Sequence, residues 1–190
     1  MSASVIIEHR IPARMRELDA FIKLAGKLDG ASKVTLTIDS DTFEISDFRF
    51  LLHPLADSAA LVARALLHFL GIGYDAKKAM LTTVKVHSDD LKMADLNLAA
   101  VSPVQATSGW TITPSRAADL LKLCFVTGNK VSAHLTEQSA ATTNASIANL
   151  RESCELVSAL INREVFQALG QDHVTFELGG AHGSITERPQ

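Results

Sequence analysis

Residues 113–125, TPSRAADLLKLCF, carry the clearest helix pattern in the chain. Thr113 is a favourable N-cap, and Pro114 occupies the first helical position, where its missing N–H leaves no hydrogen bond unmade. Gly128 and Asn129 both tolerate a left-handed backbone, so the pattern predicts that the helix ends there. Apolar residues recur at spacings of three and four and predict one buried stripe: Ala117, Leu120, Leu121, Cys124 and Phe125.

A second helix pattern spans about residues 144–169, after a polar linker, and Gly170 closes it. Its apolar stripe is expected to pack against the stripe of the first helix; it comprises Ile147, Leu150, Cys154, Val157, Ile161 and Val165. Beyond it, HVTFEL at 173–178 alternates like a short strand. Residues 179–190, GGAHGSITERPQ, are predicted to form a loose tail.

Four further patterns lie before residue 90. Residues 13–28 have a helical apolar period that ends at Gly30, and KVTLTIDSDTFEIS alternates like a β-hairpin over 33–46. A long helix is predicted at 53–70, and a shorter one at 75–86 after a break at GIG. The helix over 55–70 is apolar on nearly all sides, which predicts that another subunit covers part of this region or of the neighbouring hairpin.

Together these patterns predict a mainly α fold. Residues 49–178 are expected to form an antiparallel four-helix bundle, and residues 1–48 a small α/β extension that consists of a helix and a hairpin. Residues 179–190 complete the predicted organisation as a flexible tail.

Composition excludes several classes of protein. The chain has 190 residues and a net charge of −3, so it is not a polycationic nucleic-acid binder as a whole. Its first residues, MSASVIIEHR, contain only a three-residue apolar run, which is not expected to be a signal peptide. No uncharged apolar stretch approaches a membrane span, so no membrane partner is predicted. Cys124 and Cys154 fall within apolar stripes and are expected to be buried, reduced thiols of a cytoplasmic protein.

No motif in the sequence indicates an enzyme. The chain has no phosphate-binding loop, no Gly-x-Ser-x-Gly elbow and no third glycine after GIG at 71–73. Its seven histidines do not show the spacing of metal ligands. We therefore predict no catalytic residue, no metal ligand and no cofactor.

The basic residues of the last two helices are the most suggestive feature. If these helices pack antiparallel, Lys130 and Arg151 come to one end of the pair, while Arg116 and Arg163 mark the other. A few cations at one end suffice for sequence-independent binding of phosphates. Two simpler interpretations stay open: solvated surface charge, and for Lys130 a favourable interaction with the negative end of the preceding helix.

Two short motifs within residues 50–180 resemble the capsid proteins of rod-shaped, tobamovirus-like plant RNA viruses. FVTGNKV, at 125–131, resembles that family's Phe-x-Thr-x-Asn-basic turn, and REVFQ, at 163–167, resembles its closing Arg-x-x-Phe signature. The helix pair at 55–70 and 75–86 resembles the family's first antiparallel pair. Residues 1–48 have no counterpart, Gly128 stands where the family often has an arginine, and the linker SAATTNA lacks the family's acidic residues.

The resemblance implies a structural subunit that self-assembles helically around single-stranded RNA, in a virion and the host cytoplasm. It assigns the RNA contacts to Asn129 and Lys130 of the turn, together with Arg151 and Arg116, and gives Arg163 and Phe166 a structural role. The predicted partners are therefore RNA and further copies of the chain. Two alternatives remain: a non-catalytic regulatory or adaptor protein that forms a small oligomer, and an enzyme without a recognisable motif.

Overall fold

The computed structural model of the chain is mainly helical, with two small antiparallel sheets. It describes residues 2–29, 31, 33–47, 49–84, 87, 90–133, 144–171 and 183–187. The α-helices are α1 (Ala3–Val5), α2 (Ile11–Leu28), α3 (Arg49–Leu70), α4 (Pro103–Thr107), α5 (Pro114–Ala133) and α6 (Asn144–Ile161). Short π and 3-10 segments lie at Ile6–Arg10, Met93–Leu96, Asn162–Phe166 and Gln167–Leu169. The strands are β1 (Val34–Ile38), β2 (Asp41–Ile45), β3 (Ile72–Asp75), β4 (Met80–Thr83) and β5 (Gly183–Glu187).

Four long helices build the core. Helix α2 packs against α3 and α6, and α5 packs against the same two helices. The predicted helix at 13–28 is confirmed and begins two residues earlier, with Pro12 in its first turn. Its buried stripe, which includes Leu18 and Phe21, belongs to the same apolar cluster as the later helices. The predicted division into an extension over 1–48 and a bundle over 49–178 stays a prediction, but α2 contributes directly to the common core.

The predicted hairpin is confirmed as β1 and β2, which pair antiparallel from Val34 opposite Ile45 to Ile38 opposite Asp41. On its other side β1 pairs antiparallel with β5, so the predicted loose tail is wrong for residues 183–187. The pairing is remote in sequence, and a strand with a single apolar residue, Ile185, gives little local signal. The strand predicted at 173–178 lies outside the described residues.

The helix predicted at 75–86 is wrong, because β3 and β4 form a second hairpin there. Gly71, at φ 95°, ends α3 and turns the chain into β3. The carboxylate of Asp75 then accepts hydrogen bonds from the backbone N–H groups of Lys77 and Lys78, at 2.9 and 3.2 Å, and so closes a tight turn. The residues of DAKKAM, at 75–80, have a propensity for helix. The turn at Asp75 and the β-branched residues that follow it outweigh this propensity and favour the hairpin.

The predicted end of α5 at Gly128 and Asn129 is also wrong, since the helix continues to Ala133. A Cβ atom at Gly128 would lie 3.3 Å from both the Ala60 carbonyl oxygen and Cδ of Arg64 on α3. The glycine therefore permits a close approach of two helix backbones, with buried Ala56, Ala60 and Ala63 on the α3 side. The motif FVTGNKV is helical here and does not form the turn that the resemblance implies.

The last helical run is confirmed from Asn144 to Leu169, where π and 3-10 turns extend α6 before Gly170 closes it at φ 70°. Both predicted stripes are buried and face each other across α5 and α6. The two thiols are buried and unpaired with each other, as predicted. Within the described part of the chain, no helix combines the length and the apolarity that a membrane crossing requires.

The close approach at Gly128 can be tested with a matched pair of substitutions. Gly128→Leu should destabilise the protein by about 1–3 kcal/mol, because the added side chain forces α5 away from α3. Gly26→Leu places the same side chain on α2, where the nearest atom to the new Cβ is the flexible tip of Arg151, at 3.4 Å. There the helix propensity of leucine should instead stabilise by about 0.5–1 kcal/mol.

Urea unfolding followed by circular dichroism measures both variants. If Gly128→Leu were as stable as Gly26→Leu, α5 would not approach α3 in the way described.

Candidate anion-binding cleft

Two of the predicted RNA-binding residues form ion pairs with carboxylates. Arg116 donates hydrogen bonds to Asn149 Oδ1, at 2.9 Å, and to Glu152 Oε2. Arg151 lies 3.5 Å from a carboxylate oxygen of Asp29 and 3.6 Å from one of Glu155. A phosphate would have to compete with these carboxylates for each guanidinium group.

The predicted arrangement of basic residues at two ends of a helix pair is wrong for Arg116. This residue contacts Glu152, the immediate neighbour of Arg151 on α6, and does not share an end with Arg163. Helices α5 and α6 cross so that the start of α5 lies beside the first half of α6. Periodicity shows which face of a helix is buried, but it does not give the crossing angle of two helices.

Arg163 and Phe166 hold the last helical turns in place. The guanidinium group of Arg163 donates to the carbonyl oxygens of Ser108 and Gln105, at 3.0 and 2.9 Å, and lies 4.1 Å from the ring centroid of Trp110. The ring of Phe166 is buried in the core. Arg163 thus fastens the segment after α4 to the π-helical turn.

The remaining predicted residues, Asn129 and Lys130, lie near the end of α5. Asn129 is exposed, and it lines a cleft of about 350 Å³ between α3, α5 and the hairpin of β3 and β4. Lys130 is the next residue of the same helix. We call the cleft that Asn129 lines the Arg64 cleft. Its lining comprises Arg64, His68, Gly73, Tyr74, Thr82, Thr83, Val84, Phe125 and Asn129.

Aromatic rings form one wall of the Arg64 cleft. The ring of Phe125 is buried, and the half-buried ring of Tyr74 stacks on it with centroids 6.0 Å apart and an interplanar angle of 16°. The imidazole of His68 lies 5.5 Å from Phe125 on another side, tilted by 34°. These contacts fix the rings of Tyr74 and His68 in orientation, so each offers an ordered surface to a ligand.

Arg64 supplies the positive charge of the cleft. It lies one helical turn before His68 on α3, and among the residues that the structure describes it forms no ion pair with a carboxylate. Burial lowers the pKa of His68, and the neighbouring Arg64 cation lowers it further, while Asp90 acts in the opposite direction. The imidazole is therefore neutral near pH 7 and the charge of the cleft resides on Arg64.

The sequence did not point to Arg64 or His68. Arg64 and His68 both interrupt an apolar helix, which by itself does not indicate a binding site. Their spacing of four residues does place them on one face of α3. The sequence shows this spacing, but the spacing indicates a binding site only together with Tyr74 and two threonines. Those residues come from the β-hairpin, which the sequence predicted to be a helix.

A second cavity, of about 400 Å³, lies on the other side of His68. It shares His68 and Val84 with the Arg64 cleft, and we call it the Arg10 pocket. Its remaining lining residues are Arg10, Ile11, Arg14, Ala65, Leu66, Phe69, Asp90 and Leu91.

Other reactive groups are not arranged for chemistry in the described part of the chain. Burial raises the pKa of the Cys124 thiol to about 12 and that of Cys154 well above its usual value, so both stay protonated and unreactive. No group of three or more His, Cys, Asp or Glu side chains among the described residues is close enough to hold a metal ion.

The half-buried position of His68 predicts a specific pH dependence of stability. Its pKa in the folded protein lies below the ordinary value of 6.5, so the unfolded chain takes up the proton first as the pH falls. The stability contribution is therefore complete above about pH 6.5 and declines below it. Between about pH 7.5 and about pH 5, the urea midpoint of the parent should fall further than that of His68→Gln.

His87→Gln is the control, because His87 is exposed on the neighbouring loop. Parallel midpoints for the parent and His68→Gln at every pH would show that His68 is not desolvated.

Comparison with known protein families, with curated proteins and with solved structures finds no match to this chain. The function must therefore be inferred from the geometry of the Arg64 cleft and from the surfaces around it.

Proposed function

We propose that the protein is a self-assembling structural subunit that coats single-stranded RNA and that holds the strand in the Arg64 cleft. One observation carries this proposal. The guanidinium group of Arg64, which pairs with no carboxylate of the described residues, lies beside the ordered ring of Tyr74 and the exposed amide of Asn129. The role is that of the rod-shaped capsid proteins that the sequence resembles, but the proposed contact residues differ.

The cleft combines the two interactions on which single-stranded nucleic-acid binding depends. A base can stack on the face of Tyr74 or His68, and stacking is tolerant of sequence because every base has a π face. Arg64 can hold the adjacent phosphate, while Thr82 and Thr83 offer hydroxyl groups to the ribose or the phosphate. Lys130, one residue beyond Asn129, extends the same helix end and remains part of the proposed site.

Charge is consistent with this arrangement. A chain with a net charge of −3 cannot bind RNA through its overall field, so binding must rely on a few local cations. Arg116 and Arg151 are committed to ion pairs, which leaves Arg64 as the better phosphate ligand. A subunit in a coat needs only a small contact, because neighbouring subunits on the same strand add their contacts.

The proposal also keeps a four-helix bundle, made by α2, α3, α5 and α6, although α5 and α6 cross and do not pack end to end as the predicted antiparallel pair. Each of these helices contacts at least two of the others, and their stripes contribute to one core. In such a bundle, the hairpin of β3 and β4 lies on the side where the Arg64 cleft opens.

Binding of fluorescent twelve-residue oligonucleotides of U and of A, measured by anisotropy, tests the RNA contact. Arg64→Ala should weaken binding of both sequences about equally, and the slope of log affinity against log salt should become shallower by about 0.7. Tyr74→Leu should remove a stacking contribution of about 1–3 kcal/mol while leaving that slope unchanged.

Arg116→Ala and Arg151→Ala are the matched controls, since they remove the same charge from ion-paired positions. They should leave affinity within twofold of the parent and cost about 0–1 kcal/mol of stability. If the controls weakened binding more than Arg64→Ala, the RNA contact would lie at the residues that the sequence first suggested. A parent that binds no RNA would exclude the coat function and leave the adaptor and enzyme alternatives.

Self-assembly is supported by an apolar surface on the first sheet. Ile38 and Phe43 are each 51% exposed, and with Leu36, Ile45 and Leu51 they line an open hollow of about 610 Å³. We propose that another copy of the chain covers this hollow in the assembled state, because exposed apolar patches of this kind mark interfaces.

Sedimentation velocity over a range of concentrations tests the assembly. Phe43→Asp should shift the distribution towards the monomer, since it places a charge in the proposed interface. Met80→Asp is the control, because Met80 is 50% exposed at the tip region of the other hairpin. Negative-stain microscopy should then show rods or discs for the parent and for the control only. A parent that is strictly monomeric at every pH and salt concentration would contradict the proposed assembly.

A further inference from the structure

The Arg10 pocket has an apolar interior that the proposed RNA contact does not use. Ile11 of α2 and Leu66 and Phe69 of α3 are buried core residues whose remaining surface faces the cavity. Ala65 and Leu91 complete the apolar lining. Water in such a place finds few hydrogen-bond partners, so an apolar group is the better occupant.

Two arginines lie at this cavity. Arg10 ends the π-helical turn that runs directly into α2, and Arg14 follows four residues later. Arg14 donates to Glu17 at 2.9 Å, whereas Arg10 has no carboxylate partner among the described residues. Among the described residues of the lining, Asp90 is the carboxylate, and it accepts a hydrogen bond from the backbone N–H of His87 at 3.1 Å. Arg10 and Arg14 are therefore the cations of this described lining, and Arg14 already pairs with Glu17.

We propose that the Arg10 pocket binds a small amphipathic anion. An alkyl chain or ring would lie against Ile11, Leu66 and Phe69, and a carboxylate or phosphate head group would bind Arg10 and Arg14. A cavity of about 400 Å³ is large enough for such a molecule, since ligand pockets measure about 300–1,000 Å³. This site adjoins the Arg64 cleft at His68 and Val84, but its head-group ligands Arg10 and Arg14 take no part in the proposed RNA contact, so it does not depend on that contact.

The chemistry of the occupant predicts how affinity varies among simple probes. Decanoate should bind, and octanoate should bind more weakly by about fourfold for each methylene group that it lacks. Decyl phosphate should bind at least as tightly as decanoate, because guanidinium groups accept either head group. Decylamine, with the same chain and the opposite charge, should not bind. Isothermal titration calorimetry with the full chain, below the micelle concentration of each probe, measures all four.

Variants then separate the head-group contact from the apolar contact. Arg10→Ala combined with Arg14→Ala should weaken decanoate by tenfold or more, as expected when charge-assisted hydrogen bonds are lost. Ala65→Phe should abolish binding by filling the cavity. Asp90→Asn should tighten binding, because it removes a negative charge from the lining. Lys27→Ala, which removes an exposed cation from the same helix away from the pocket, should have no effect.

Circular dichroism of each variant confirms that the fold is intact before binding is compared. Equal binding of decanoate and decylamine, or an unchanged affinity in both the double-arginine and the Ala65→Phe variants, would overturn the proposal. Arg64→Ala should leave decanoate affinity unchanged, so a failure of the RNA proposal and a failure of this one give different results.

Discussion

The close approach of α5 to α3 at Gly128 is the constraint on which the candidate site depends. A side chain at this position would collide with the backbone of Ala60 and the stem of Arg64. Because glycine has no side chain, the two helices can pack at this short distance. At that distance α5 continues past residue 128 and brings Asn129 beside Arg64. The same contact lets Phe125 reach His68 and Tyr74, which gives the cleft its aromatic wall.

The surrounding elements complete the site because they are connected to this helix pair through one core. Helix α2 packs on α3, and the π-helical turn before it carries Arg10 to the far side of His68. The short hairpin of β3 and β4 covers the end of α3 and supplies Tyr74 with the two threonines. His68 therefore stands between two cavities of different character: one is lined by rings and polar groups, and the other by apolar side chains together with Arg10, Arg14 and Asp90.

Long amphipathic segments could be predicted from the sequence, and short or remote pairings could not. The stripes of α5 and α6 repeat over several turns, so their period alone identifies the buried residues. Strands β3, β4 and β5 have only four or five residues each, too few for a reliable period. An aspartate-stabilised turn decides the hairpin of β3 and β4, and pairing with β1 decides β5. Gly128 was misjudged for a different reason: a glycine that ends a helix and a glycine that lets two helices touch look the same in a sequence.

The same limit explains why the sequence pointed to Arg116 and Arg151 before Arg64. A sequence shows where cations lie along a helix, but whether a cation is available to a ligand depends on carboxylates brought near it by the fold. Glu152, on another helix, offsets the charge of Arg116, and Asp29, far away in the sequence, offsets that of Arg151. Such exposed pairs add only about 0–1 kcal/mol to stability. Arg64 lies beside Ala60 and the rings of the cleft, and no carboxylate of the described residues pairs with it. A cation held in that way keeps its capacity to bind an anion, and this difference in surroundings distinguishes a candidate binding residue from a structural one.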